Sequence, residues 1–483
     1  MKTVGFLSFR SHSVALSRRI TQSFRGYSLP ELEKCVESYV PVPLLSAEDE
    51  GPNSRERVFS LRLTFQCLVW QALNPKTALR EVVRQVQALF LLRDLGEVQE
   101  GTSAYSQARA RLPKERQEKA LIHLAQEADR LAGPGGCLQG RPVKVVDGTT
   151  TQLEDTPENQ KHYPQSSQQK KGCGFPWMKL FVLFSLSSGA IMQVMMGNRH
   201  QHDLRLLRQL WEEFKIGDIL LGDRLFSDYA TLADLRDRGI DSVARLNARR
   251  KADFRKAKRL GRNDGLFTWI KPKPCPSYLM LAQWAKVPVT LTVRIIRFQI
   301  AVKGCRTKQI TLVTTLLDPK LYPLEELAAL YARRWRLELC LRDVKTQMGM
   351  EQIRAKSPKM AQKEVLAYFI AHNLIRCVMA EAAARHGAPL DRLSFQGTLS
   401  SLRQFAKVMA QATTQRKKEQ LWEHLLRIIA TDRVPLRPGR REPRALKQRP
   451  KPFPSLTRPR HRFKDQIRYY KWVRQQPSQS SKN

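Results

Sequence analysis

The sequence contains no uninterrupted apolar run of about 20 residues, the length a helix needs to cross a bilayer. Its longest apolar stretch, LFVLFSLSSGAIMQVMM at 180–196, is broken by Ser187, Ser188 and Gly189 and reads as two strands around a turn. None of the eight cysteines stands at C-x-x-C spacing from another, so neither a zinc ribbon nor a disulfide framework is indicated, and a reducing compartment fits. There is no G-x-S-x-G elbow and no reactive-cysteine context to support Ser/His/Asp or Cys/His catalysis. Acid is also in short supply. Against 84 Lys and Arg there are 44 Asp and Glu, which leaves a formal charge of +40 over 483 residues. Such self-repulsion is tolerated when a polyanion is the partner, and nucleic acid is favoured over an anionic membrane.

The length is enough for two or three domains, and the 42% hydrophobic content is that of a globular chain. Residues 1–57 form an extension with no assigned role. Their first 28 residues carry no acid, as in an organelle transit peptide, but an upstream extension of a bacterial reading frame looks the same and is preferred. From 58 to 135 the pattern is helical. VFSLRLTFQCLVWQAL and ALREVVRQVQALFLLRDL have helical periodicity, and Pro113 separates two further helices with Arg109, Arg111, Lys114 and Arg116 gathered at the break. This reads as a helical DNA-binding domain, with a plain helical bundle as the alternative. GPGG at 133–136 marks a boundary.

Strands and helices then alternate. VKVVDGTTTQL at 143–153, the two strands around Ser187–Gly189, a helix DLRLLRQLWEEF capped by Asp203 and ended by Gly217, DILLGDRLF at 218–226, a helix near 228–238 and SVARL at 242–246 succeed one another in turn. Three antiparallel strands, a crossover helix and further strands is the order of an RNase H-like mixed sheet. The expected fold is therefore α/β, with that core split into 136–246 and 321–385 by an all-β insertion at 247–320. In the insertion, KADFRKAKRLGRNDG reads as loop and the long strands VTLTVRIIRFQIAV and QITLVTTLL flank a turn at Gly304. A C-terminal helical region spans 386–433. A basic, Pro-rich tail at 434–483, with 15 Lys or Arg against 2 acids, reads as an extended arm suited to phosphates or as a solubilising tail.

The stretch YARRWRLELCLRDVK at 331–345 concentrates the chemistry. At about 100° per residue, Tyr331, Arg334, Trp335, Glu338 and Lys345 fall on roughly one 100° arc of a helix, beside an apolar stripe of Leu337, Leu341, Val344 and Met348. One carboxylate among cationic and aromatic neighbours fits a metal ligand beside a nucleic-acid backbone. The alternative is a solvated salt-bridge face in which Glu338 offsets Arg334 and Arg342. Asp147 and Asp223 lie in strands with buried-looking flanks, where an ionised carboxylate is costly unless paired or metal-bound. Joined by Glu338 they would offer hard oxygen ligands for two Mg²⁺ ions about 3.5–4 Å apart, suited to in-line phosphoryl displacement. His200, His202 and Asp203 form a competing zinc cluster, but nothing completes it at the usual spacing.

From roughly residue 60 to 465 the chain resembles the DDE transposases of the insertion sequence 4 family. The resemblance is carried by the Tyr331, Arg334, Glu338, Lys345 signature, by Asp147 in VVDGTT, by Asp223 in LLGDRLF and by Trp335 directly after Arg334. The β-rich insertion and the basic EPRALKQRPKPFP segment match as well. It implies cut-and-paste transposition, with Asp147, Asp223 and Glu338 as catalytic ligands of Mg²⁺, for which Mn²⁺ can substitute. Water would nick one strand at each terminal inverted repeat, and the freed 3′-OH would attack the opposite strand to form a hairpin and later the target. Tyr331, Arg334, Trp335 and Lys345 would hold the DNA end in a homodimeric synaptic complex, at the nucleoid in a bacterial cytoplasm. Trp269 and Trp284 offer a second stacking wall or an ordinary core. A non-catalytic DNA-binding repressor and an RNase H-like nuclease that cuts without joining are the alternative functions.

Overall fold

Hydrophobic periodicity switches from about 3.6 to 2 near residue 137, and the architecture tracks that switch. The computed structural model describes residues 39–45, 57–299, 309–435, 456–459 and 461–462. The transit-peptide reading of the first 28 residues, the turn at Gly304, the EPRALKQRPKPFP segment and most of the basic tail lie outside the described residues. The described residues form two compact units, one from those up to Ala120 with Ile370–Val434 and one from those in Leu121–Phe369 with the described ones from Pro435 on.

The first unit is helical. Leu61–Leu73 starts at Ser60, whose side chain accepts the Leu63 N–H, and it is buried on nearly every side. Leu79–Leu92 instead buries one face through Val82, Val83, Val86 and Leu89. Pro113 separates helices Ser103–Arg111 and Lys114–Ala132, as its missing N–H and fixed φ require. Phe395–Gln411 and Gln415–Thr431 are capped by Ser394 and Thr414. Pro358–His386 is long and apolar enough to cross a membrane, but 94% of its apolar window is buried inside the protein.

The second unit is built on one sheet. In chain order its strands are β1 (Cys137–Leu138), β2 (Arg141–Leu153), β3 (Trp177–Ser185), β4 (Ile191–Gly197), β5 (Ile219–Gly222), β6 (Asp241–Arg245), β7 (Lys258–Gly261), β8 (Asp264–Ile270), β9 (Thr290–Gln299), β10 (Gln309–Thr314) and β11 (Gln352–Ile353). The spatial order is β4-β3-β2-β5-β6-β10-β9-β8-β7, and β1 and β11 also pair with β2. β2, β3 and β4 run antiparallel, and β5 and β6 add in parallel on the other side of β2. That is the RNase H-like arrangement. Gly189, at φ +71°, makes the turn between β3 and β4. The crossover chain packs Leu204, Leu206, Leu207, Trp211 and Phe214 against Val146, Phe181 and Leu220 on one face of the sheet.

Three local expectations are corrected. His202, not Asp203, caps the crossover helix: its Nδ1 accepts the Leu204 N–H at 3.2 Å, and Asp203 is drawn into an ion pair with Lys179 at 2.8 Å. That helix stops at Arg208, and Gly217 serves a later left-handed turn at φ +94°. The basic stretch after residue 250 is not all loop, because β7 pairs with β8 there.

The insertion extends the core sheet, since β10 pairs antiparallel with β6. It also carries a short helix, Leu281–Lys286, beside its strands. Trp269 and Trp284 are buried in its core, each beneath a cation: Arg250 stands 4.0 Å from the Trp269 ring centre and Lys271 4.7 Å from that of Trp284. Arg294, with no exposed surface, is neutralised by Asp264 and donates to the Tyr322 carbonyl at 2.7 Å.

Candidate active site

β2 lies in the middle of the core sheet, and its parallel register with β5 pairs Val143 with Ile219 and Val145 with Leu221. Asp147 and Asp223 each lie two residues beyond the last of these pairs, Asp223 just past the end of β5, and the Asp223 charge is felt at Asp147. Gly222 closes β5 beneath the Phe226 ring, and a 3-10 turn at Arg224–Ser227 takes over. Asp223 caps that turn, its Oδ1 accepting the Leu225 N–H at 2.8 Å, so one carboxylate oxygen is fixed by the backbone.

Asp147 shares its strand face with Thr149 and Thr151. That face receives the segment after residue 334: Lys345 Nζ donates to Thr149 Oγ1 at 3.3 Å, and Thr151 Oγ1 donates to the Met350 carbonyl at 2.6 Å. β11 then pairs in parallel with Gln152 and Leu153, pinning the end of the segment to β2.

The segment is not one uniform helix. Leu324–Arg333 and Trp335–Arg342 are joined at Arg334, and a π-helical turn succeeds them at Asp343–Gln347. The extra residue of a π-turn shifts the phase of the later side chains, and Lys345 lies within that turn. Leu337, Leu341, Val344 and Met348 are buried as the apolar stripe requires. The polar arc, however, does not uniformly face outward. Tyr331 is 4% exposed and Arg334 8%, whereas Trp335 is 56% exposed. The aromatic and cationic side chains of this arc therefore have different surroundings.

Arg334 turns into the acidic site. One of its Nη atoms donates to Glu338 Oε1 at 3.0 Å, and the other is 4.0 Å from Asp147 Oδ2. The Tyr331 and Trp335 rings flank its guanidinium at 5.8 and 5.7 Å. Burial opposes its charge, but Tyr331, Asp147 and Glu338 outweigh that and hold its pKa above the usual value. Asp147 is shifted upward, first by burial and then by the nearby charges of Asp223 and Glu338; the Gly148 N–H and Arg334 act against the shift. Tyr331 is also raised by burial, with Arg334 opposing. Three carboxylates from distant parts of the chain thus share one electrostatic field.

Among the described residues no three His, Cys, Asp or Glu side chains stand ready-made around an ion. Between Asp147 and Glu338 stands a guanidinium, a cation answering two carboxylates. The donor set is oxygen only and lacks soft ligands, which fits a hard divalent cation and not zinc. His200 and His202 belong elsewhere: His202 caps its helix and stacks on Tyr278 with ring centres 5.2 Å apart.

Two features of the site have no local signature in the sequence. Thr149 as the anchor of Lys345 depends on the pairing of a strand with a distant helix. A cavity of about 280 Å³ lined by Arg224, Arg245, Arg250, Lys251 and Arg297, with no carboxylate in its wall, depends on bringing β5, β6, β9 and β10 together. The signal available was position: Arg224 directly follows Asp223 and Arg245 ends β6, and the carboxyl ends of parallel strands are where open α/β sheets place ligands. Burial and the repulsion of Arg224 and Arg334 lower the pKa of Arg245, the mark of a site short of negative charge.

Comparison with known proteins gives three findings. The profile of the Transposase DDE domain matches residues 138–374, a span that contains Asp147, Asp223 and Glu338. The chain is 25% identical over 413 residues to the transposase InsG for insertion sequence element IS4 of Escherichia coli (strain K12), covering 85% of this chain and 90% of that protein. Among solved structures, the piggyBac transposase in a synaptic complex with hairpin DNA aligns over 84% of each chain, at 11% identity and a TM-score of 0.38.

Proposed function

We propose that this chain is a DDE transposase of the insertion sequence 4 type, as its likeness to the Transposase DDE domain and to InsG supports, that Asp147, Asp223 and Glu338 are its catalytic carboxylates and that it moves an insertion sequence by a cut-and-paste route. The observation that carries the proposal is the shared field at Asp147, where Asp223 from the neighbouring strand and Glu338 from the docked helix both act on one carboxyl group. When bound by these three side chains, two Mg²⁺ ions, or Mn²⁺ in their place, would supply the charge that activates an attacking oxygen and steadies a leaving one. The protein then needs no side-chain nucleophile.

Each chemical step exchanges one phosphorus–oxygen bond for another. Water breaks one strand at a terminal inverted repeat, the released 3′-hydroxyl attacks the opposite strand to leave a hairpin, and after the hairpin opens the same hydroxyl joins target DNA. Arg334, once drawn off the carboxylates, can neutralise a phosphate, and Lys345 is held beside it by Thr149. Trp335, with its ring largely in solvent, can stack on a base displaced at the hairpin. The basic cavity supports a path for the strand leaving the site. The helical segment 58–135 and the basic tail would add non-specific grip. Two ends must be joined, so a homodimer is the working form.

The test is cleavage of DNA carrying the element's terminal repeats in Mg²⁺. Asp147→Asn, Asp223→Asn and Glu338→Gln should each fall to background while still binding the repeats. Wild-type cleavage by any of them would refute the assignment. Cleavage of branched DNA without repeats would point to a nuclease, and repeat binding without cleavage by the intact protein to a repressor.

A further inference from the structure

The turn that presents Asp223 is bounded at both ends by an aspartate. Asp223 opens it, and Asp228, directly after Ser227, closes it. Asp228 also starts the next helix, Tyr229–Asp237, its Oδ1 accepting the Thr231 N–H at 3.1 Å. Within the turn, Ser227 Oγ donates to the Arg224 carbonyl at 2.9 Å, and Phe226 and Ser227 are buried. Four residues braced in this way move as one piece, so whatever holds Asp228 also bears on Asp223.

The group that holds Asp228 comes from the insertion. Tyr278, between β8 and the helix Leu281–Lys286, donates its hydroxyl to the same Oδ1. Its ring stacks on His202 with centres 5.2 Å apart and lies 5.7 Å from the Arg208 guanidinium, both in the crossover chain. Tyr278 packs against the core cluster that contains Val146 and Phe226 and also against the insertion cluster that contains Trp269 and Trp284. Burial and the Asp228 charge raise its pKa, so the hydroxyl keeps its proton and remains a donor. A hydrogen bond to a carboxylate is among the stronger ones, and this one ties the insertion to the far end of the turn that Asp223 caps.

We propose that Tyr278 is a positioning residue which, through Asp228 and the turn Arg224–Ser227, fixes where the Asp223 carboxylate stands. This rests on the proposed role of Asp223 as a metal ligand. Asp223 Oδ1 is engaged by the Leu225 N–H, so the direction of its other oxygen follows the turn. The insertion then does more than widen the sheet, because one of its side chains sets the geometry of the acidic site.

The test is calorimetric titration of the full-length, DNA-free protein with Mn²⁺, with melting temperature and cleavage of repeat DNA read alongside. Tyr278→Phe keeps the ring and its packing and removes only the donor. It should weaken Mn²⁺ binding about threefold to tenfold, somewhat less than the ~10–100-fold lost with a direct partner of a metal ligand, and should shift the Mn²⁺ dependence of cleavage the same way. Asp228→Asn keeps the helix cap and an oxygen for the hydroxyl, whereas Asp228→Ser keeps the cap but is too short to reach the tyrosine. Asp228→Ser should therefore weaken Mn²⁺ binding more than Asp228→Asn, and that pair decides the matter if Tyr278→Phe does not fold. Wild-type Mn²⁺ affinity in Tyr278→Phe overturns this proposal alone, whatever the melting temperature, as does equal affinity in the two Asp228 variants. Asp223→Asn that binds Mn²⁺ as tightly as wild type overturns the metal-ligand role of Asp223 and this proposal with it.

Discussion

Arg334 donates to Glu338 across 3.0 Å while standing 4.0 Å from Asp147, so a single guanidinium serves carboxylates from a helix and from the central strand of the sheet. An arginine on the surface of a DNA-binding protein would be expected to wait for phosphate. Here it is 8% exposed and already engaged.

Cations compete for the same oxygens, so Arg334→Gln should raise the affinity of the DNA-free protein for Mn²⁺ by about tenfold, or ~1.4 kcal/mol. Calorimetric titration reads this directly. The same change should weaken binding of the terminal repeats and reduce its dependence on salt, because a phosphate contact is lost. Equal Mn²⁺ affinity in the two proteins would show that the guanidinium is not a competitor.

Thr149→Val removes the oxygen that receives Lys345 and leaves a side chain of similar shape on β2. The melting temperature should change little. Repeat binding should fall about threefold to tenfold, in line with the ~0.5–1.5 kcal/mol of an ordinary hydrogen bond. If Lys345→Ala and Thr149→Val each weaken binding and the double variant is no worse than Lys345→Ala, the threonine acts through the lysine. Fully additive losses would separate the two.

Gly222 ends β5 against a ring that has nowhere to go. An added Cβ would lie 2.5 Å from Phe226 Cδ2, and Phe226 is 2% exposed and packed on Phe181. Gly222→Ala should cost about 1–3 kcal/mol of stability through overpacking. It should also reduce cleavage well beyond that loss, because the turn it displaces is the one Asp223 caps. Activity that tracks folded fraction alone would contradict the link.

His372 gives the acid response. Burial, assisted by the Arg376 charge, brings its pKa from near 6.5 down to about 3 in the folded protein. Between those values the unfolded chain binds a proton that the folded one does not, so stability rises with pH across that window and is lost as pH falls through it. Its ring stacks on Phe395 and its Nε2 has no hydrogen-bond partner. His372→Phe should therefore show a smaller drop in urea midpoint between pH 7 and pH 5 than wild type. An identical drop in both proteins would place the acid sensitivity elsewhere.

Much of this arrangement is legible in the chain because it rests on local chemistry. Alternation in VKVVDGTTTQL, the Ser187–Gly189 turn and the helical stripe ending at Met348 mark their elements without reference to anything distant. Capping at Asp203 is not legible in the same way, because two adjacent residues can serve and a lysine on β3 decides between them. The surroundings of Tyr331 and Arg334 are not legible for a related reason. Helical phase says which side chains lie together, but not whether their shared direction is water or a neighbouring strand.

The sequence by itself determined most of the strands and helices, the excess of positive charge and the three candidate acids, since each depends on residue type and spacing along the chain. Tertiary structure alone decided that the charges of Asp223 and Glu338 reach Asp147, that Arg334 faces acid instead of solvent, and that Thr149 holds Lys345. The reason is range: hydrogen-bonding and burial patterns repeat over a few residues, whereas the field at a carboxyl group is the sum of charges delivered by elements far apart in the chain.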